Sequence, residues 1–455
     1  MLTARTSQLE HWTGGCLRGE DVLVRGMTVD TRKLTPGELF LAIAGERVDG
    51  HQFLAQARIA GAAAALVSRY VDDELPQILV DDVVQAAAQI ARAHLRRHQA
   101  TVIAITGSNG KTTVKNLAAG ILSHAGPTLA TRGNFNNELG LPLTLARLSD
   151  EHRFVVLEMG AGKPGDIAYL CSIAQPDVAL VNNVADAHIA QLGSRAEVAE
   201  TKGAIYAALG DDGVAVINGD DAFAARMEAL AAGRRVIHFG ETRGDVRLGP
   251  AQPGYPQRFV LFTPDAEIAV RLPLLGAHNR RNAAAATALA LAAGATPAQI
   301  AAGLADAVPE PGRLQPHQNG ALTLIDDSYN ANPASVAAAL EAIAELGIRR
   351  WLVLGDMAEL GPGEAEMHRQ VGMQAATAGF ERLYALGPLA TLAAERFGQE
   401  GHACLDVTAL IAAVRGDLAK VGGEVAVLVK GSRAAGMERI CQALLQPGDV
   451  QCCSG

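Results

Sequence analysis

The chain has 455 residues, 49% hydrophobic and 19% charged, which gives room for about three domains and excludes a disordered or acidic-tail protein. Its 39 basic and 48 acidic residues leave a net charge of −9, so the basic footprint of a nucleic-acid binder is missing and no nucleic-acid partner is expected. No apolar run reaches the ~20 residues of a membrane span, the N-terminus MLTARTSQLEHWTGG has no apolar signal core, and the six cysteines form no CxxC pair, which together predict a reduced, cytoplasmic protein.

Residues 1–98 read as a small α/β module: a helix at Thr6–Trp12, a strand at Val22–Val24, a helical run from Gln52, strands at Ala63–Val67 and Gln77–Val80, and a helix Val83–Arg97 with a charged, solvated end. Residues 99–310 open with TVIAITGSNGKTT, a strand, a Gly-rich turn and a helix in order. Apolar strands Phe154–Gly160, Val178–Val184 and Val214–Asn218 alternate with helices Val114–Ala125 and Ser194–Leu209, which predicts a mostly parallel sheet covered on both faces. A less regular β piece over 259–276 and an alanine-rich helix Asn279–Ala293 close this segment. Residues 311–455 restart the alternation with LTLIDDSYNANP, helix Pro333–Leu346, strand RWLVLGDM, helix Glu364–Ala378, strand RLYALG and a final strand VAVLVKGS. This is a dinucleotide-type arrangement without the glycine fingerprint. The fold class expected is therefore α/β in three domains.

The strongest chemical signal is the turn Thr106-Gly107-Ser108-Asn109-Gly110-Lys111-Thr112-Thr113. Glycines let successive backbone N–H groups curl around phosphate oxygens at a helix N-terminus. Lys111 suits the β and γ phosphates of a nucleoside triphosphate, and the Thr112 hydroxyl suits Mg²⁺. The pattern G-x-x-x-x-G-K-[ST] is not met in full, because Ile105 stands five before Gly110. Glu158 and His188 follow two apolar strands and open toward the same crevice, as a metal-binding carboxylate and histidine or as an ordinary cap and loop residue. Lys202, with Glu197 and Glu200 near it in sequence, reads from chemistry alone as a solvated lysine. Asn279 and Asn282 share one face at a helix start, as base readers or as caps. Asp326 and Asp327 precede Tyr329-Asn330-Ala331-Asn332-Pro333, where Asn332 as N-cap and Pro333 as N1 compete with a ribose or Mg²⁺ contact. Gly355-Asp356-Met357 and Lys430-Gly431-Ser432-Arg433 also follow apolar strands, and Lys430 and Arg433 suit a carboxylate or phosphate.

TGSNGKTT, the Glu158 strand end, the His188 loop, GAHNRRN, Pro311-Gly312-Arg313, DDSYNANP, GDMAELG and KGSR together resemble the bacterial Mur ligases. They run through all three segments in order. In that family Ile105 in place of a glycine is normal. Asn330–Pro333, GDMAELG at 355–361 and TRGNFNNELGLP at 131–142 resemble the branch that joins D-alanyl-D-alanine to a UDP-MurNAc-tripeptide. The resemblance implies a UDP-sugar-binding domain at 1–98, a central phosphate-loop ATPase domain at 99–310 and a Rossmann-like domain at 311–455. It implies ATP and Mg²⁺ as cofactors, with Gly107 to Thr113, Asn279, Asn282, Arg313, Asp327 and Asn330 on the nucleotide. Thr112, Glu158 and His188 would form the metal environment, and Lys111, Glu158, His188 and Lys202 the catalytic set, Lys202 being a lysine that some siblings carry as a carbamate. Asp30, Thr31, Arg32, Glu46, Asp49 and His51 would meet the UDP-sugar, and Thr131, Asn134, Asn137, Lys430 and Arg433 the rest of the substrates. The expected partners are small molecules, and the chain is taken as a monomer. The alternatives are a sibling adding a single amino acid and a folylpolyglutamate-type ligase.

Overall fold

The computed structural model describes residues 1–45, 48–185, 194–252 and 254–446. The chain forms two compact units, Met1–Gly249 with Leu261–Ile268 and Asn282–Leu304, and Pro250–Val260 with Ala269–Arg281 and Ala305–Gly455. The expected β piece at 259–276 is present as strands Gln257–Phe262 and Glu267–Leu272.

In the first unit the N-terminal module is a five-stranded sheet in the order Cys16–Arg18, Gln77–Leu79, Ala64–Val67, Leu39–Leu41, Met27–Thr28. All its pairings are parallel except that of Cys16–Arg18. The helix Val83–Leu95 starts at Asp82, whose carboxylate accepts the N–H groups of Val84 and Gln85. Small side chains let this helix pack on two sides. Ala86, Ala87 and Ile90 join the N-terminal core, while Ala88, Ala91 and Leu95 join the next one. That shared helix makes the two modules one compact unit.

The central module carries a parallel run, in spatial order Thr128–Ala130, Phe154–Glu158, Thr101–Thr106, Val178–Val181, Val214–Asn218, Arg235–Gly240. Its strands read VVL, IAI and VALV because both faces are covered. In register, Ile105 pairs with Glu158 and Thr106 with Val181, so three strand ends meet at one edge. The strand expected to reach Val184 stops at Val181. Asn182 there donates its side-chain amide to Asn109 O, which turns the chain toward the glycine loop. The helix expected from Val114 begins earlier, at Lys111.

The second unit holds a six-stranded sheet, Gln315–Asn319, Leu322–Asp327, Val425–Lys430, Arg349–Gly355, Arg382–Leu386, Gly401–Cys404, with only the first strand antiparallel. Asn332 caps the helix Pro333–Ala344 through Ser335, with Pro333 in the first turn as the sequence predicts. No helix among the described residues is long and apolar enough to cross a membrane.

Candidate nucleotide and acceptor site

The glycine loop joins the strand Thr101–Thr106 to the helix Lys111–Ser123. Gly110 has φ +77°, and a Cβ there would lie 2.6 Å from Asn282 Oδ1 and 2.7 Å from Asn182 Nδ2, so only glycine fits. A tandem asparagine pair that sequence reasoning missed clamps the loop from the next strand. Asn109 N–H donates to Asn183 Oδ1 at 2.8 Å, and the side-chain amides of Asn182 and Asn183 donate to Asn109 O at 2.9 and 3.1 Å. Asn182 also donates to Asn282 Oδ1 at 3.1 Å. Ser108 Oγ donates to Ala185 O and accepts Ala185 N–H. Lys111 Nζ folds over the loop onto Gly107 O at 2.8 Å and Ser108 O at 3.3 Å. Thr112 and Thr113 stand half-buried in the first helical turn.

Glu158 ends the neighbouring strand and is 3% exposed. Its N–H donates to Thr131 Oγ1 at 3.1 Å, and its Oε1 accepts from Asn136 Nδ2 at 2.8 Å. Its other oxygen, Oε2, is buried with no hydrogen-bond partner among the described residues. Asn136, which sequence reasoning missed, thus holds Glu158; of the substrate-loop residues singled out in the sequence, Asn134 is exposed and Asn137 accepts Gly140 N–H at 2.8 Å. His188 lies outside the described residues.

Lys202, on the helix Arg195–Ala207, is 1% exposed, which overturns its reading as a solvated lysine. Glu197 closes the capping box with Ser194, and Glu200 forms a two-pronged pair with Arg226, so neither serves Lys202. Burial, and the charge of Lys111, push its pKa down to about 8.

In the N-terminal module Asp30 accepts both Arg32 Nε at 2.8 Å and Arg32 Nη2 at 2.9 Å, and this pairing holds its carboxyl down to about 2. Thr31 lies half-exposed between them. Asp49 Oδ1 accepts from His51 N–H at 3.0 Å and faces its Nδ1 at 2.7 Å, while Ser68 N–H donates to His51 Nε2 at 3.0 Å. The Nδ1 atom therefore carries the ring proton. Arg69, which sequence reasoning missed, pairs with Asp49 and is the first cause of its well-lowered pKa. Glu46 lies outside the described residues.

In the second unit Lys430 is 2% exposed. Its ammonium donates to Asp327 Oδ2 at 2.6 Å and to Asn330 O at 2.9 Å. Asp327 and Lys430 end adjacent paired strands, and Asp327 Oδ1 takes Leu314 N–H at 3.1 Å. Burial still raises the Asp327 pKa against the pull of Lys430. The Asn330 side chain accepts Ala331 N–H. Tyr329 is exposed, with the Arg313 and Arg433 guanidiniums 4.6 and 5.9 Å from its ring centre. Asn279, in the first turn of the helix Ala277–Ala292, donates to Leu275 O at 2.8 Å. Asp356 accepts Ala390 N–H at 2.7 Å, and so acts as a cap.

Three family descriptions match in chain order: the Mur ligase family catalytic domain over residues 23–120, the Mur ligase middle domain over 105–290, and the Mur ligase glutamate ligase domain over 312–433. The UDP-N-acetylmuramoyl-tripeptide–D-alanyl-D-alanine ligase of Escherichia coli (strain K12) is 42% identical over 98% of this chain and 100% of its own length. The chain belongs to the Mur ligase family. The protein of the same name from Haemophilus influenzae is 37% identical, covering 98% of this chain and 99% of its own. Among solved Mur ligases, MurF from Acinetobacter baumannii superposes with a TM-score of 0.91 at 34% identity, over 98% of this chain and 100% of that one. MurF ligase from Thermotoga maritima, solved in complex with ADP, gives a TM-score of 0.80 at 29% identity, over 93% and 97%. Mycobacterium tuberculosis folylpolyglutamate synthase, at 18% identity and a TM-score of 0.64 over 80% of this chain and 95% of that one, shares the fold alone.

The side chains at the glycine loop include oxygen groups of the kind that Mg²⁺ takes beside phosphate and water. No cluster of three His, Cys, Asp or Glu side chains suits a metal among the described residues. Mg²⁺ keeps several waters and takes one or two protein ligands beside phosphate. The unpartnered Glu158 Oε2 and the first-turn Thr112 match that need.

Proposed function

We propose that this Mur ligase uses ATP to join D-alanyl-D-alanine to UDP-N-acetylmuramoyl-tripeptide, forming UDP-MurNAc-pentapeptide, ADP and phosphate for peptidoglycan synthesis. The observation that carries the reading is the end-to-end match to the Escherichia coli ligase of that name. The clamped glycine loop with Lys111 and the free oxygen of Glu158 support it chemically.

In the proposed reaction a carboxylate oxygen of the tripeptide attacks the γ-phosphorus and ADP leaves, giving an acyl phosphate. The amine of D-alanyl-D-alanine attacks the acyl carbon, phosphate leaves, and the amine gives up a proton. Lys111 neutralises charge on the transferred group. Thr112 and Glu158 would hold Mg²⁺ with His188, and bound Mg²⁺ supplies further charge neutralisation. Asn182 and Asn183 keep the loop N–H groups preorganised. Asn279, Asn282, Arg313, Asp327 and Asn330 are assigned to the nucleotide, with Asp327 fixed by Lys430. Asp30, Thr31, Arg32, Asp49 and His51 are assigned to the UDP-sugar. Thr131, Asn134, Asn137 and Arg433 are assigned to the peptide substrates. Burial at Lys202 raises the share of neutral amine, the form that adds to CO₂, above that of a free lysine, which supports a carbamate there.

The proposed domains are 1–98, 99–310 and 311–455, supported by family matches that change over near residues 105–120 and 290–312. The same reading makes the enzyme a cytoplasmic monomer. ADP release, measured with each UDP-MurNAc-peptide with and without D-alanyl-D-alanine, tests the function. Release that needs both tripeptide and dipeptide supports it; release driven by another peptide and a single amino acid assigns a sibling activity.

A further inference from the structure

Lys115 stands one helical turn beyond Lys111 on the helix Lys111–Ser123, on the same face. It is 3% exposed, and its ammonium donates to the Thr131 carbonyl at 2.9 Å. Taking an ammonium out of water costs several kcal/mol, and a well-packed apolar side chain of similar volume avoids that cost. Stability alone therefore gives little reason for a charge here. Position gives a better one.

Thr131 follows the strand Thr128–Ala130, and its N–H donates to Val156 O at 3.0 Å. Its hydroxyl accepts Glu158 N–H at 3.1 Å. Further along the same loop Asn136 donates to Glu158 Oε1 at 2.8 Å, and its carbonyl accepts Gly160 N–H at 2.8 Å. Loop 131–137 thus grips Glu158 by backbone and side chain. Lys115 ties the start of that loop to the helix that begins with Lys111.

We infer that Lys115 is a positioning residue, which sets loop 131–137 against the phosphate-loop helix and so aims Glu158 Oε2, the buried oxygen without a partner among the described residues. It acts through Thr131 rather than by touching substrate. The inference rests on the reading of Glu158 as a ligand of the nucleotide's metal, and the test separates the two.

The measurement is free Mn²⁺, followed by electron paramagnetic resonance while the full chain is titrated with a non-hydrolysable ATP analogue present. Loss of a partner behind a metal ligand costs about 10- to 100-fold in metal affinity or activity. Lys115→Met should therefore weaken Mn²⁺ about tenfold or more and lower kcat, while metal-free nucleotide affinity stays within about twofold. Thr131→Val cuts the hydroxyl link but keeps the carbonyl, so it tests the same path if Lys115→Met does not fold. It should show the same kind of loss. The double variant should lose no more than the worse single, because the two act in series. Additive losses, a folded Lys115→Met with wild-type Mn²⁺ affinity, or a Thr131→Val without effect would overturn the inference. Glu158→Gln provides the separation. If it weakens Mn²⁺ and Lys115→Met does not, Lys115 alone is misassigned; if it leaves Mn²⁺ binding unchanged, the reading of Glu158 fails and this inference with it.

Discussion

Lys202 is buried with the charge of Lys111 near enough to depress its pKa to about 8, so its proton is easily lost. In the unfolded chain the same amine titrates near 10.5. Below about pH 8 both states hold the proton and burying the charge destabilises the fold in full. Between about 8 and 10.5 the unfolded state binds more protons, so this group's contribution to stability rises with pH. For an unmodified amine, urea unfolding at both ends of that window should show a gain of roughly 2–3 kcal/mol that Lys202→Met abolishes. A carbamate would replace the cation by an anion and remove this slope. The wild type with carbon-13 bicarbonate should then show a carbamate resonance that is absent from Lys202→Ala, whose lost activity a short carboxylate restores in part. A missing resonance together with the full slope would assign an unmodified amine. Lys111 makes the simpler case. Lys111→Ala should leave the melting temperature near wild type and lower ligation about 10²-fold or more, because it removes a charge from the transferring phosphoryl group. Near-normal turnover in a coupled ADP assay would remove Lys111 from the site.

At the scale of elements, the glycine loop is held from outside, by Asn182 and Asn183, as well as by Lys111 across it. Gly110→Ala places a methyl group between Asn182 and Asn282 at a φ of +77°, and Asn183→Ala removes both a donor and an acceptor for Asn109. Both variants should weaken ATP binding in calorimetry, Gly110→Ala more, since it adds strain of order 1–3 kcal/mol to the lost clamp. Equal affinity in Gly110→Ala would mean that the loop does not cradle phosphate. This loop was legible because its chemistry is local: an apolar strand, glycines and a lysine in consecutive residues. The central strands were legible for a related reason, since burial on both faces leaves unbroken apolar runs such as Val178–Val181. The strand Gln315–Asn319 was not, because as a polar edge, QPHQN, it pairs on one side only. Asn182 and Asn183 had a signal, two amides directly after an apolar strand, but their partner lies more than seventy residues away. The Lys430–Asp327 pair is set by strand register over a separation of 103 residues, which spacing along the chain does not encode. Lys202 was misread because its burial is set by tertiary packing that the neighbouring sequence does not encode, and its polar neighbours Glu197 and Glu200 turn elsewhere.

For the whole molecule, the two tryptophans fall one in each compact unit and can report on them separately. Trp12 is half-buried beneath Arg97 in the first unit. Trp351 is fully buried in the second, with no hydrogen-bond partner for its indole N–H among the described residues. Trp12→Phe should be mild because the site is partly open. Trp351→Phe removes ring volume but also an unsatisfied donor, so its cost is reduced. In the single-tryptophan proteins, fluorescence melts should give two midpoints if each core unfolds as its own cooperative block. A ligand present at a hundred times its Kd adds about 2.7 kcal/mol to whatever it binds. At about 2–4 °C per kcal/mol for a block of this size, the shift is easily read. Adding Mg²⁺ and a non-hydrolysable ATP analogue should therefore raise the midpoint reported by Trp12, because the glycine loop lies in that unit, and Lys111→Ala should cancel most of the rise. The Trp351 midpoint tests the assignment of Arg313, Asp327 and Asn330 to the nucleotide. It should rise as well, and Asp327→Ala should return it toward the ligand-free value while leaving the Trp12 shift largely in place. A Trp351 midpoint that ignores the nucleotide, with binding shown independently, would take those three residues out of the ATP site and leave the phosphate loop as its anchor.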